Sequence, residues 1–507
     1  MLRKFVTALV FTTGVVCSAY AQKPQTGAEK VVSDAAKAIG ADGLKSIQYS
    51  ANGYYYHFLQ GYLVPTASNP GPWPKFYAKY SRSIDYQQNI SREDTIRSQF
   101  SLPSRGGGYQ PMYRTGSMGS VTTNESSAWN ALHRGGVIAG GAPALTPHGF
   151  LQLAETLSPT LRKTTINGRM IRIISIQVPG DFKIKVEAYI NKDNLIEKID
   201  TWMPSIILGD ILIENTYSDY RDFKEVKFPI RIVRTQAGTR VLELNVTDVK
   251  PNAPVSLQAP RQPQPLQVKS TKIADGVWFI DGPLVSSTVV EFKNYLVLVE
   301  SSSSEEHALA NIAEAKRLFP DKPIRYNVNS HYHGDHAGGL RTFVAEGATI
   351  ITPEGNRDFY ERVVLKAPNV LEPDQLALHP KPAHFIWVGD QYVLSDGDRK
   401  VEVFEVKGNG HCSNLLMTYM PKEKLLFETD LLDDVDEVSL RNSARNPNVP
   451  PPGVVSPYVW SLWENIQRLH LDVQQIVLCH GHAPVPLDAL KQRINGKVQD
   501  ATIQPLY

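Results

Sequence analysis

Apolar and polar positions alternate at Phe182, Ile184, Val186 and Ala188, interleaved with Lys183, Lys185 and Glu187. That period of two predicts a half-exposed strand. Asn191-Lys-Asp-Asn194 supplies turn residues, and Leu195, Ile196 and Ile199 resume the apolar pattern. Ile230 to Val233, and then Leu242, Leu244 and Val246 beyond Gly238, predict further strands. Successive antiparallel strands with polar outer faces predict a curved, open sheet or half-barrel. Upstream, the pattern predicts a helix near Ala28 to Ile39 and an irregular Gly- and Pro-rich stretch from Tyr62 to Trp73. The glycine-rich runs Arg105 to Gly108 and Arg134 to Gly141 lack the strand-to-helix setting of a phosphate cradle and read as surface loops. His57, His133 and His148 are isolated and read as ordinary polar residues.

The second half has a different rhythm. Val277 to Ile280, Thr288 to Phe292 and Tyr295 to Val299 read as strands. Glu305 to Phe319 reads as a helix with Leu309, Ile312, Ala315 and Leu318 on its apolar face. A buried strand over Pro323 to Ser330, a helix to Glu346, a strand at Ala348 to Thr352 and a helix at Asn356 to Leu365 follow. Later strands are Val401 to Val406, Leu415 to Tyr419, Leu425 to Glu428 and Gln475 to Leu478. Helices are expected near Tyr458 to Leu469 and Leu487 to Val498. Strand pairs mixed with alternating helices imply an α/β fold of two sheets with helices outside, an αββα sandwich. Pro251 to Ser270 holds five prolines among polar residues and reads as an extended linker. The expected organisation is a β-rich domain over 22–250, a linker over 251–270 and a sandwich domain over 271–507.

Composition narrows the classes. With 507 residues, 42% hydrophobic and 21% charged, the chain has ample core for two domains. The net charge of +2 gives no support to nucleic acid or an anionic membrane surface as partner. Arg3 and Lys4, the apolar run Phe5 to Val16, and Ala19-Tyr20-Ala21 have the three parts of a secretory signal. The apolar run is too short to span a bilayer, so residues 1–21 are expected to be removed and the protein to be periplasmic or secreted. Cys412 and Cys479 would then be the only thiols; they could pair in an oxidising compartment or remain two separate buried thiols.

Candidate chemistry concentrates in His331-Tyr-His333-Gly-Asp335-His336, which holds three of the chain's 13 histidines. In an extended segment His331 and His333 share one side, while the following turn sends Asp335 and His336 toward a second site. Three more candidates stand at predicted strand ends: His411 after Gly408-Asn-Gly410, Asp430 after Leu425 to Glu428, and His480 before Gly481. Two neighbouring divalent ions held by such groups would make a hydrolytic centre.

The run Ser330 to Gly339, together with Gly410-His411, Phe427-Glu-Thr-Asp430 and Val477-Leu-Cys-His480-Gly481, resembles the motif set of the metallo-β-lactamase fold superfamily. The resemblance covers about 270–507. It implies that His331, His333 and His411 hold one metal, that Asp335, His336 and His480 hold the other, and that Asp430 bridges them. It also implies a bridging hydroxide as nucleophile, with Asp335 able to relay a proton. Glu300 stands where the superfamily usually has an aspartate, and would brace the histidine loop. His482 reads as a group behind the ligands or on the substrate side. Asp430 at the bridge resembles the glyoxalase II and lactonase ligand pattern. Zinc suits these donors, and iron or manganese is compatible. Tyr217-Ser-Asp-Tyr220, Val226-Lys-Phe-Pro229 and Leu244 to Val249 resemble segments of lipoprotein-carrier-like periplasmic half-barrels, a likeness that covers about the last 60 residues of the first region. The reading is therefore an exported metal-dependent hydrolase of a small molecule with an ester, thioester, lactone or amide-type bond. The alternatives are an iron-dependent persulfide dioxygenase, and a lipid-binding periplasmic protein whose metal domain is secondary. The Arg441 to Pro457 loop is expected to border the substrate.

Overall fold

The computed structural model describes residues 27–69, 71, 73–99, 116–124, 142–178, 184–259, 265–432 and 453–499. The expected signal segment, both glycine-rich runs, His133 and most of the 441–457 loop lie outside the described residues.

Alternating strands, several of them joined by tight turns, build one eleven-stranded antiparallel sheet in the first half. Its strands are β1 (Ser46–Tyr56), β2 (Lys75–Asp85), β3 (Ile90–Gln99), β4 (Gly116–Asn124), β5 (Thr160–Ile166) and β6 (Arg169–Gln177). They continue with β7 (Lys185–Ile190), β8 (Ile196–Ser205), β9 (Gly209–Phe223), β10 (Val226–Gln236) and β11 (Thr239–Pro251). The order β4-β3-β2-β1-β11-β10-β9-β8-β7-β6-β5 places β1 beside β11, so the ends of the segment close in the middle of the sheet. In β7 the burial pattern alternates as the sequence predicts, with Val186, Ala188 and Ile190 inward. The helix Gly27–Ile39 buries Val32, Ala35, Ala36 and Ile39. The helix Pro147–Thr156 starts on Thr146, whose hydroxyl accepts from Gly149 N–H.

His57 and His148, expected as ordinary polar residues, are both buried. The His148 ring stacks on Phe228 at 5.7 Å and its Nε2 donates to the Ile39 carbonyl at 3.3 Å. Burial pushes this imidazole down to about 4. A depressed histidine stabilises the fold above its unfolded value near 6.5 and loses that contribution as pH falls toward 4. About 3 kcal/mol is at stake. Urea unfolding of His148→Gln should therefore show a shallower stability loss between about pH 6.5 and 4 than the unaltered protein. Identical pH slopes would remove His148 from the account.

The second half forms the two-sheet sandwich. One sheet, in the order of the chain, contains β12 (Lys269–Ala274), β13 (Val277–Asp281), β14 (Ser287–Glu291), β15 (Leu296–Val299), β16 (Ile324–Val328), β17 (Thr349–Pro353) and β18 (His384–Val388). β12 occupies residues that composition alone assigns in part to the linker, and β18 is a further strand not evident from the apolar pattern. The other sheet runs β19 (Gln391–Ser395), β20 (Lys400–Glu405), β21 (Leu416–Met420) and β22 (Leu425–Glu428). It continues directly from β22 through β24 (Gln475–Leu478) and β25 (Val485–Pro486), while β23 (Val454–Val455) and β26 (Val498–Gln499) form a separate two-stranded parallel sheet.

Val277, Phe279, Val290, Val297, Val299, Val328 and Ile351 of the first sheet pack against Val401, Val403, Leu416, Leu425, Phe427 and Val477 of the second. Helices cover the outer faces. Glu305–Leu318 is capped by Ser304 and buries Ala308, Asn311, Ile312 and Ala315. Its inner face is rotated from the expected one, because Leu309 is 40% exposed. Two polar residues, His307 and Asn311, take the buried places that an apolar-period reading passes over. Among the described residues no helix is long and apolar enough to cross a membrane.

Candidate metal centre

β15, β16 and β17 run parallel, as do β22 and β24. Their carboxyl ends share one rim, where open α/β sheets place ligands. Glu300 follows β15, the histidine run follows β16, Asp430 follows β22 and His480 follows β24. His411 lies between β20 and β21. β16 ends at Val328, so His331 and His333 converge through loop geometry, not through strand alternation. That loop is stapled by Asn329, whose Nδ2 donates to the carbonyls of His331 (3.0 Å) and His336 (3.1 Å). Asn329 Oδ1 in turn accepts from Thr352 at 2.9 Å and Tyr360 at 2.5 Å.

Three imidazole nitrogens then meet. His333 Nδ1 lies 3.0 Å from His331 Nε2 and 2.9 Å from His411 Nε2, and the last two are 3.3 Å apart. All three rings are buried, and burial holds all three below the ordinary histidine value, His333 down to about 3. Three neutral rings aimed at one point offer lone pairs that cannot all be satisfied by one another. A tetrahedral ion with 2.0–2.1 Å bonds would space its nitrogen ligands by roughly 3.4 Å, so this triangle fits a cation with little adjustment.

Asp335, His336 and His480 form a second group. His336 Nε2 lies 3.4 Å from Asp335 Oδ2 and 3.3 Å from His480 Nε2. Asp430 spans the two groups: Oδ2 is 3.6 Å from both His331 Nε2 and His411 Nε2, and Oδ1 is 3.2 Å from His480 Nε2. Asp430 Oδ2 is also 2.8 Å from His336 Nε2, yet it is buried without a hydrogen-bond partner of proper direction. Such an orphaned carboxylate oxygen between imidazoles is what a shared cation would satisfy. Burial alone would lower His336 and His480. The facing carboxylates outweigh it, raising His336 well above its ordinary value and His480 to about 9. Burial likewise opposes ionisation of Asp335 and Asp430, but the facing imidazoles hold both acids below the usual range. The pocket thus concentrates negative charge and attracts positive charge, whether protons or a divalent ion.

The other ring nitrogens are tied down from behind, which fixes the tautomers a ligand set needs. His331 Nδ1 faces Ser330 Oγ at 3.0 Å, His480 Nδ1 donates to the Leu284 carbonyl at 2.8 Å, and His336 Nδ1 faces Glu300 Oε2 at 3.3 Å. Glu300 is fully buried and also accepts from Ser330 Oγ (2.7 Å) and Ser301 N–H (2.8 Å). Its φ of 83°, like the 59° of Asp430, is a left-handed conformation that costs a non-glycine residue energy and occurs where a site demands it. The Asp430 turn is held by Glu428, whose Oε2 accepts from Leu431 and Leu432 N–H.

His482 stands outside this packing. Its side chain is 79% exposed and its Nδ1 meets Asp281 at 2.8 Å. Cys412 and Cys479 are both buried free thiols, so the disulfide alternative is not realised. Cys412 donates to the Asn414 carbonyl at 3.1 Å, and Cys479 Sγ lies 3.7 Å from His336 Nδ1.

Sequence reasoning missed two kinds of residue. Asn329 adjoins the motif and could have been suspected from its position, whereas Tyr360 carries no signal. The second kind comes from the other domain. The Gln60 to Leu63 segment of the β1–β2 connection touches the histidine loop directly.

Residues 280–459 match the family model described as the metallo-beta-lactamase superfamily. An alkyl/aryl-sulfatase, BDS1, from Saccharomyces cerevisiae is 26% identical over 188 residues, covering 33% of this chain and 28% of that protein. The chain thus spans little more than a quarter of that curated relative's length. Among solved structures, a metallo-beta-lactamase from Pontibacter korlensis is 19% identical, over 44% of this chain and 96% of that one, with a TM-score of 0.32. The FIM-1 metallo-beta-lactamase from Pseudomonas aeruginosa, in a mono-zinc form, is 20% identical over 46% and 95%, with a TM-score of 0.33.

Proposed function

Since residues 280–459 form a metallo-β-lactamase superfamily domain, we propose that this chain is an exported hydrolase acting on an ester, thioester, lactone or amide-type bond of a small molecule. The observation that carries the reading is the convergence of a buried and a half-buried donor group on one rim with the Asp430 carboxylate between them. In this reading His331, His333 and His411 hold one divalent ion, and Asp335, His336 and His480 hold a second. Zinc is the proposed metal, and the same donors accept iron or manganese. Two ions held there would supply Lewis acidity and lower the pKa of water. The chain supplies the rest. Asp430 would fix the spacing of the two groups, and Asp335 would relay a proton while remaining a ligand. His482, exposed near Asp281, is proposed as a substrate-side group.

The relationship to an alkyl/aryl-sulfatase supports a second reading, hydrolysis of an organic sulfate monoester. Zinc- and iron-loaded protein assayed against lactones, thioesters, β-lactams, sulfate monoesters and persulfides separates the readings. Hydrolysis that is lost with a chelator and restored by the metal is expected. Bound iron with oxygen uptake on a persulfide, and no hydrolysis, would overturn the proposal. Export rests on Arg3, Lys4 and the Phe5–Val16 run. N-terminal sequencing of protein from the native host should begin at Gln22; an intact Met1 would remove that part.

A further inference from the structure

We propose that the N-terminal domain completes the metal centre, with Gln60 as a positioning residue for Asp335 and the Gly61 carbonyl as the orienting acceptor for His333. The inference rests on the metal-centre reading above and extends it to residues that no motif contains.

Four consecutive residues of the β1–β2 connection lie along the ligand loop. Gln60 Nε2 donates to Asp335 Oδ1 at 2.8 Å, across 275 positions of sequence. The Gly61 carbonyl accepts from His333 Nε2 at 2.9 Å and also from the Tyr332 hydroxyl. The Leu63 carbonyl takes a second bond from that hydroxyl at 3.0 Å. Between them, the Tyr62 carbonyl accepts from Ser413 N–H at 2.7 Å, two residues beyond His411. Gln60 is 6% exposed, and Leu59 just before it sits at φ 59°, a left-handed turn that directs the chain into the centre. From the other side the β8–β9 hairpin closes on the same loop. A Cβ on Gly334 would lie 2.4 Å from Ile206 Cδ1, so any larger residue there would push the Ile206 side chain aside.

The chemistry of these contacts is specific. His333 turns Nδ1 toward His331 and His411, which requires its proton on Nε2, and Gly61 is the acceptor that holds that tautomer. Asp335 keeps Oδ2 toward His336 and His480 because Oδ1 is anchored by an amide. The neutral amide orients the carboxylate without cancelling its charge. A lysine there would compete with the cation, and a glutamate would repel the carboxylate. The other histidine braces described above come from within the sandwich domain. His333 and Asp335, one from each donor group, are braced by the first domain.

The test uses full-length Gln60→Met, which keeps the length of the side chain and removes the donor, and Tyr332→Phe, which removes the hydroxyl bonds to Gly61 and Leu63. Apo proteins are titrated with cobalt(II), following visible ligand-field absorption and ion stoichiometry, with thermal unfolding of the apo forms as a fold control. Gln60→Met is expected to weaken the ion held by Asp335 by about 10- to 100-fold, with an altered band for that ion, while the three-histidine ion binds as before. Tyr332→Phe is expected to perturb the band of the three-histidine ion instead. If wild-type protein binds cobalt and both variants match it in affinity and spectrum, the inference is wrong. Wild-type protein that binds no cobalt overturns the metal-centre reading itself. Should Gln60→Met fail to fold, an unaltered Tyr332→Phe spectrum overturns the proposal alone.

Discussion

His333→Ala and Asp335→Asn should each abolish measurable hydrolysis and lower the metal content per chain. Each residue belongs to a different donor group, so each tests a different half of the centre. His333 Nδ1 is within 3.0 Å of both partner imidazoles, and removal of its ring leaves the point between His331 and His411 with two donors. Water can refill the space but cannot hold an ion with the same preorganisation. Asparagine at 335 is the subtler change. It keeps an oxygen for the Gln60 amide, yet it sets an uncharged group where Oδ2 faces His336 and His480. Groups that merely orient metal ligands are worth about 10- to 100-fold, so loss of a ligand itself should exceed ~100-fold in kcat/KM. The checks are steady-state kinetics on whichever substrate the screen identifies and elemental analysis of dialysed protein. Full activity in either variant would show that the centre lies elsewhere.

How far the sequence discloses this site depends on how local the cause is. The ligand types are legible because metal chemistry demands particular donors, and the strand-end positions are legible because apolar runs stop abruptly at Val299, Val328, Phe427 and Leu478. The two-sheet packing follows from the same runs. What is not legible arises from tertiary contact. Leu309 has the right spacing to face inward and is exposed, since Asn311 and His307 find buried partners in Ser287, Ser302 and Ser303. His57 and His148 look isolated in sequence and are buried in the fold. The Tyr62 to Trp73 stretch has no period, so composition marks it only as irregular. The residues at and just before its start are the ones that reach the ligands. A backbone carbonyl such as that of Gly61 leaves no side-chain signature. The cysteines show the same limit from the other direction: each sits beside a candidate ligand in sequence, but both remain buried thiols, raised by burial.

Glu300→Ala should be the most damaging change outside the ligands themselves, and it separates bracing from ligation. The carboxylate is fully buried and serves three donors at once: Ser301 N–H, Ser330 Oγ and the Nδ1 side of His336. Truncation strands them in a site closed to water, at about 1–3 kcal/mol for each buried group left unpaired, less whatever relaxation recovers. A loss of at least ~3 kcal/mol is expected, visible as a shift in the urea midpoint at constant slope. His336 also loses the partner behind its ring, so affinity for the ion it faces should fall by about 10- to 100-fold. Glu300→Asp sharpens the reading. It keeps the charge but withdraws the carboxylate by roughly 1.5 Å, one carbon–carbon bond. From there, contact with His336, already at 3.3 Å, should lengthen beyond hydrogen-bond range unless the strand end moves inward. The aspartate variant should therefore recover most of the stability and only part of the metal affinity. If it recovers both in full, reach is unimportant and Glu300 acts only through its charge. If alanine itself changes neither quantity, the left-handed turn at 300 has some other cause than the need to aim this carboxylate at the histidine loop.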